Sequence, residues 1–188
     1  MLDFNELAAA VVRHWPIWVV TATLVVAAVI DGWILKVPNW ITYPMIFAGW
    51  IYSTYAFGWE GLGWSLLGTG VGLALLLPLY AIGGMGAGDV KLLAGVGAWI
   101  WSIDTLYSYC WSAVFGGVIA VGMVFYRKAW NKHSAQFLHI VNEIATVRDP
   151  NQLSAIAAQR KPTMLLLPYG IPIAIGTIFY FVIQGMLV

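Results

Sequence analysis

Two aspartates and a run of glycines are the residues of this chain whose types and spacing fit a reaction. The stretch Gly83-Gly84-Met85-Gly86-Ala87-Gly88-Asp89-Val90-Lys91 sets four glycines and a carboxylate between strongly apolar runs. Glycine has no Cβ and accepts backbone angles that other residues cannot, so another extended chain can approach such a loop closely. Asp89 stands where Leu92-Leu93-Ala94 resumes the apolar pattern, and an acid at the mouth of a membrane helix is a functional candidate by default. A plainer reading stays open here, because Asp is a good helix N-cap and a capped glycine loop needs no chemistry. The other acid, Asp31, closes an earlier apolar run in Asp31-Gly32-Trp33-Ile34-Leu35-Lys36-Val37-Pro38-Asn39-Trp40-Ile41-Thr42. Pro38-Asn39 ends that turn, since proline restricts the residue before it and cannot continue a helix interior.

Two carboxylates beside a glycine loop are what an aspartyl protease requires. Like charges within a few Å cannot both ionise, so the pair holds one proton between them. The ionised member takes a proton from water while the protonated member polarises the scissile carbonyl, with no covalent intermediate. Position assigns the ionised role to Asp89, at a helix start, and the protonated role to Asp31, near a helix end, although a coupled pair titrates jointly.

Composition decides what surrounds the acids. Of 188 residues 61% are hydrophobic and 9% charged, with a mean hydropathy of +0.83, which excludes a water-soluble globule. The net charge of +1 comes without a basic block, so nucleic-acid binding is set aside. A single cysteine, Cys110, rules out a disulfide framework or thiolate cluster within one chain and is read as a small buried hydrophobe. The acidic N-terminus, Met1 to Glu6, lacks the basic start of a cleaved signal peptide, so the first apolar run is expected to be kept as a span.

Runs near the ~20 residues that cross a bilayer extend over Trp15–Ile30, Ile41–Phe57, Leu62–Ile82, Leu106–Tyr126 and Met164–Val188, with a shorter one at Val90–Trp101. The expected fold is an all-α integral membrane protein of about six transmembrane helices, forming a single polytopic domain over residues 1–188. The fourth helix, about 20 Å long at 1.5 Å per residue, needs shelter from its neighbours or a thinned membrane. Six of the nine basic residues lie between Arg127 and Lys161, Lys36 is in the first loop and Lys91 in the third, so the odd-numbered loops are expected to be cytoplasmic. Asp31 and Asp89 then share the cytoplasmic side. Between helices five and six, Phe137, Ile140, Val141 and Ile144 recur at helical spacing, which predicts a cytoplasmic amphipathic helix on the membrane surface. Asp149-Pro150 predicts the start of a further short helix. Nine of the eleven tryptophans, Trp99 among them, cluster near expected span ends as an interfacial belt.

Asp31 followed after six residues by Pro38-Asn39, paired with Gly86-Ala87-Gly88-Asp89-Val90-Lys91, resembles the two aspartate motifs of the type IV prepilin peptidases, the glycine-rich one being similar to their GxGD motif. Pro168-Tyr169-Gly170-Ile171-Pro172-Ile173-Ala174 is similar to the stretch that opens the last helix of that family. The resemblance implies a membrane aspartic endopeptidase of the bacterial plasma membrane, with Asp31 and Asp89 catalytic. It would remove a short basic leader from a prepilin or pseudopilin, after a glycine, at the cytoplasmic face. Gly86, Gly88, Pro38, Asn39 and Lys91 are the expected substrate-binding residues. Glycines at 86 and 88 would let the backbone lie beside an unwound substrate, and bulky side chains there are expected to impair cleavage and spare folding. The chain resembles the short members, such as those of tight-adherence (Flp) pilus systems, and peptidase activity without methyltransferase activity is expected.

Lys91 has two readings, an interfacial snorkelling lysine and a group that steers an acidic residue of the substrate. His14, His133 and His139 have no partner at ligand spacing, so no metal site or cofactor is predicted. Two other functions compete. In a small proton- or cation-coupled carrier the acids would form an ion path, but both fall on one expected face and no inverted repeat is visible. In a non-catalytic assembly scaffold the acids would only cap helices.

Overall fold

The structure is a computed structural model that describes residues 14–81, 84–126 and 168–187. They form four helices: α1 (Trp15–Ile34), α2 (Asn39–Ala81), α3 (Ala87–Tyr126) and α4 (Gly170–Ile183). The first three are long and apolar enough to cross a membrane, and the chain is a multi-pass membrane protein.

The expectation of about six transmembrane helices is therefore corrected to four helices among the described residues, three of them of spanning length. The physical reason lies at two single residues. The dip in hydropathy at Gly58-Trp59-Glu60 separates two apolar runs in the sequence, but the chain crosses it within α2 with one non-helical residue, Gly58 (φ 66°, ψ −154°). In α3 the same happens at Trp101 (φ 65°, ψ −170°), a conformation that glycine favours and that costs a larger residue of order 1–3 kcal/mol. The cytoplasmic amphipathic segment, His133, His139 and the Asp149-Pro150 helix start lie outside the described residues.

Run straight, the 43 residues of α2 would extend about 65 Å, twice the ~30 Å hydrocarbon core. Instead α2 folds back at Gly58, and Trp50 Nε1 donates to Thr69 Oγ1 at 3.0 Å across the two arms. The first arm of α3 lies against both. Gly49 meets Ala98, Gly68 meets Gly97 and Gly72 meets Leu93 and Ala94, each so closely that a Cβ on the glycine would stand within 3.0 Å of its neighbour. Small residues permit such helix contacts where lipid gives no hydrophobic drive for association. Leu92, Leu93, Ala94, Val96 and Ala98 are fully buried as a result, so the short apolar run has the shelter its length demands. Hydroxyls serve the carbonyls near the α3 bend: Ser65 Oγ donates to Ala98 O at 2.5 Å, and Thr105 Oγ1 donates to Trp101 O. Broken helices survive at membrane depth when side chains satisfy the freed backbone in this way.

Two smaller expectations change. Trp33, Trp40 and Trp59 are exposed in keeping with a belt, but Trp99 is 9% exposed. It stacks on Tyr52 at 5.4 Å, meets Trp15 edge-on at 6.1 Å and donates from Nε1 to Met45 O at 2.9 Å. Cys110 is exposed, not buried, because it lies on the face of α3 turned away from the packed helices.

Candidate active site

The buried face of α1 is Val20, Leu24, Ala27 and Asp31, spaced four, three and four residues apart, the period of one helix face. Asp31 continues an apolar stripe and is 1% exposed. Its place on the last turn is fixed by the left-handed Leu35 (φ 53°), whose N–H closes on Asp31 O at 2.8 Å and ends the helix. A buried carboxylate needs donors, and Asp31 finds one across the fold: the Gly170 N–H donates to its Oδ2 at 2.8 Å. Gly170 is the first residue of α4, whose opening N–H groups have no partner inside the helix.

Asp89, the third residue of α3, is 5% exposed. It is not the N-cap residue. Gly86 occupies that position, and its N–H donates to Asp89 Oδ2 at 3.1 Å while Asp89 N–H donates to Gly86 O at 3.2 Å. This is the reciprocal form of helix start in which an acid on the first turn reaches back to the cap.

The start of α4 is linked to both acids. Gly170 binds Asp31, and the adjoining Tyr169 lies in the field of Asp89; burial, and next the Asp89 charge, push the Tyr169 hydroxyl above the ordinary tyrosine range. Asp31 lies on the last turn of α1 and Asp89 on the first turn of α3, the helix ends the sequence assigns to them, but a further helix start adds to the first. Both carboxylates accept a backbone N–H at a helix start, Asp31 from α4 and Asp89 from α3, so helix polarity gives no ground for naming one the base.

The remaining candidates fall on the same rim. Val37 is buried, and its carbonyl and Cβ face Gly88. Gly88 is thus turned toward the chain's own backbone, while a Cβ on Gly86 would stand 3.3 Å from Asp89 Oδ2. Pro38 precedes α2, and its carbonyl accepts from Ile41 N–H at 3.1 Å. Asn39 opens α2 and is tied to α3, since Lys91 Nζ donates to Asn39 Oδ1 and to Tyr43 Oη, each at 3.0 Å, with the ammonium 4.7 Å from the Tyr43 ring centroid. An apolar cavity of about 240 Å³ adjoins the rim, with Leu76, Leu79, Met85, Tyr109, Tyr169 and Ile173 in its lining. Among the described residues no three of His, Cys, Asp and Glu converge as a metal site would need.

Sequence reading gives no role to Tyr43, Tyr169 or Gly170. Tyr43 was open to it, lying four residues after Asn39 on the same helix face. The Asp31 bond to Gly170 spans 139 residues, and no local pattern announces a contact at that distance.

These features define a multi-pass membrane protein with two buried carboxylates at adjoining helix starts. Residues 18–121 match the type IV leader peptidase family, and the chain belongs to that family. It is similar to a prepilin leader peptidase/N-methyltransferase of Aeromonas salmonicida (strain A449) and to one of Aeromonas hydrophila, each 29% identical over 124 residues. Each match covers 62% of this chain but 41% of the relative, so the chain corresponds to about two fifths of the curated relatives' length. No solved structure matches.

Proposed function

We propose that this protein is a membrane aspartic endopeptidase that removes the basic leader of a type IV, Flp-like prepilin, using water activated between Asp31 and Asp89. One observation carries the reading: in a member of the leader peptidase family, the two acids are buried at 1% and 5% exposure, Asp31 bonded to Gly170 and Asp89 acting by its charge on the preceding Tyr169. Two enclosed carboxylates sharing one proton supply both a base for water and an acid for the scissile carbonyl. Neither acid is assigned a fixed role, since the pair titrates together.

The substrate is cut after a glycine at the cytoplasmic face of the bacterial inner membrane, a side favoured by Lys36 and Lys91 flanking the acids in sequence. The apolar cavity beside Met85 and Tyr169 suits a membrane-borne substrate. Lys91, oriented by Asn39 and Tyr43, offers a cation to an acidic residue near the cleavage point. The proposal is confined to peptidase chemistry, because both acids fall within the matched residues 18–121.

The test is leader removal from a co-expressed prepilin of the same source by wild type, Asp31→Asn and Asp89→Asn, with equal membrane insertion verified. Loss of cleavage in both variants is expected. Near-normal cleavage by either one rejects the paired-acid mechanism.

A further inference from the structure

The start of α4 lies outside residues 18–121, yet it is the segment that touches Asp31. Gly170 meets that side chain in two ways. Its N–H donates to Asp31 Oδ2 at 2.8 Å, and its missing Cβ leaves the space the carboxylate fills. A Cβ at this position would stand 2.9 Å from Asp31 Oδ2, 3.0 Å from Asp31 Cβ and 3.2 Å from Asp31 Cγ. The three atoms nearest to it all belong to Asp31, and that side chain, at 1% exposure, has no solvent to move into. Gly170 has ordinary helical geometry, without the positive φ of Gly58 and Gly185. Backbone conformation therefore gives no reason for glycine here, and the carboxylate does.

We infer that Gly170 is a positioning residue of the active site, which fixes the Asp31 carboxylate by an N–H bond and a Cβ-sized gap so that its other oxygen is presented to water. This rests on the peptidase reading above and extends it to the last helix. With Oδ2 held by Gly170, Oδ1 is the Asp31 oxygen left to share a proton or orient water. Tyr169 precedes Gly170 and lies in the field of Asp89, so the same turn of chain is linked to both acids. The Ser112 Oγ reach to Ile173 O at 3.4 Å and the close contact of Gly176 with the Ser112 backbone seat α4 on α3, giving that turn a fixed frame.

Gly170→Ala tests this by two readouts on purified full-length protein. A misplacement near 1 Å in a reacting group costs on the order of 10²-fold in rate. The expected result is a fall of that order in kcat for leader removal, with KM within about twofold, since substrate binding is not the step disturbed. A kcat within about twofold of wild type overturns the inference. The other readout is a thermal-unfolding cycle with Asp31→Ala, which removes the atoms the new methyl would meet. Gly170→Ala should lower Tm in the wild-type background and leave it nearly unchanged in Asp31→Ala; an equal shift in both overturns the contact. The cycle needs no cleavage, so it stays decisive if Asp31→Asn and Asp89→Asn prove active and the peptidase reading fails.

Discussion

Gly88 and Val37 are in contact through their backbones: a Cβ on Gly88 would stand 2.4 Å from the Val37 carbonyl oxygen and 3.1 Å from its Cβ. The start of α3 and the connection between α1 and α2 are held at that spacing, which draws the segment after Asp31 against the residue before Asp89. A carbonyl oxygen cannot rotate aside as a side chain can, so Gly88→Ala should force the elements apart at about 1–3 kcal/mol. Gly86 differs, since a Cβ there would meet the Asp89 carboxylate at 3.3 Å and the Gly88 nitrogen at an ordinary 3.9 Å. The expected outcome is that Gly88→Ala loses thermal stability and leader removal together, while Gly86→Ala loses leader removal with a much smaller change in Tm. Comparison of Tm and cleavage rate for both variants checks this, and equal stability of the two would contradict it.

The two glycines also show what was legible in the sequence. The apolar runs, the acids and the glycine loop could be read because each depends on neighbours a few residues apart. The helix count could not, because Gly58 and Trp101 redirect their helices at one residue each, where the dip in hydropathy reads as a loop. The contact of Gly88 with the Val37 backbone was not legible, because Val37 comes from another helix connection. The opposed helix ends of Asp31 and Asp89 were legible, but the N–H that serves Asp31 was not, since it belongs to α4.

Lys91 joins the start of α3 to the start of α2 through Asn39 and Tyr43. Its bonds are exposed, so Lys91→Met is expected to cost no more than about 0.5–1.5 kcal/mol. If the ammonium also meets an acidic residue of the substrate, KM for leader removal should rise severalfold with kcat nearly unchanged, and charge reversal of that substrate residue should abolish the difference between variant and wild type. A fall in kcat at constant KM would instead mean that Lys91 acts through the acids.

The crossing of α2 and α3 at Gly68 and Gly97 tolerates no side chain, as a Cβ on either glycine would stand 2.1 Å from the carbonyl oxygen of the other. Gly97→Val is therefore expected to abolish recovery of folded protein from the membrane. Gly63, with nothing within 4 Å of an added Cβ, is the control: Gly63→Ala should be neutral or stabilising by up to about 1 kcal/mol through helix propensity. Detergent-extracted yield and Tm report both.

The Asp104 carboxylate offers a test of where chemistry ends. Tyr180 Oη donates to Asp104 Oδ1 at 2.6 Å, and Tyr180 is 4% exposed and stacks on Tyr107 at 5.9 Å. Tyr180 follows Gly170 by ten residues on α4, about 15 Å along the helix, so this pair lies well away from Asp31. Removing the hydroxyl leaves a partly enclosed carboxylate without that donor, a loss of about 1–3 kcal/mol. Tyr180→Phe should lower Tm accordingly and leave the kcat and KM of leader removal unchanged at temperatures where the variant stays folded. Asp104→Asn, which keeps an acceptor for the hydroxyl, should lose less. If Tyr180→Phe slows cleavage as strongly as Gly170→Ala, the seating of α4 as a whole governs the acids, and the effect of Gly170 could no longer be ascribed to its contact with Asp31 alone.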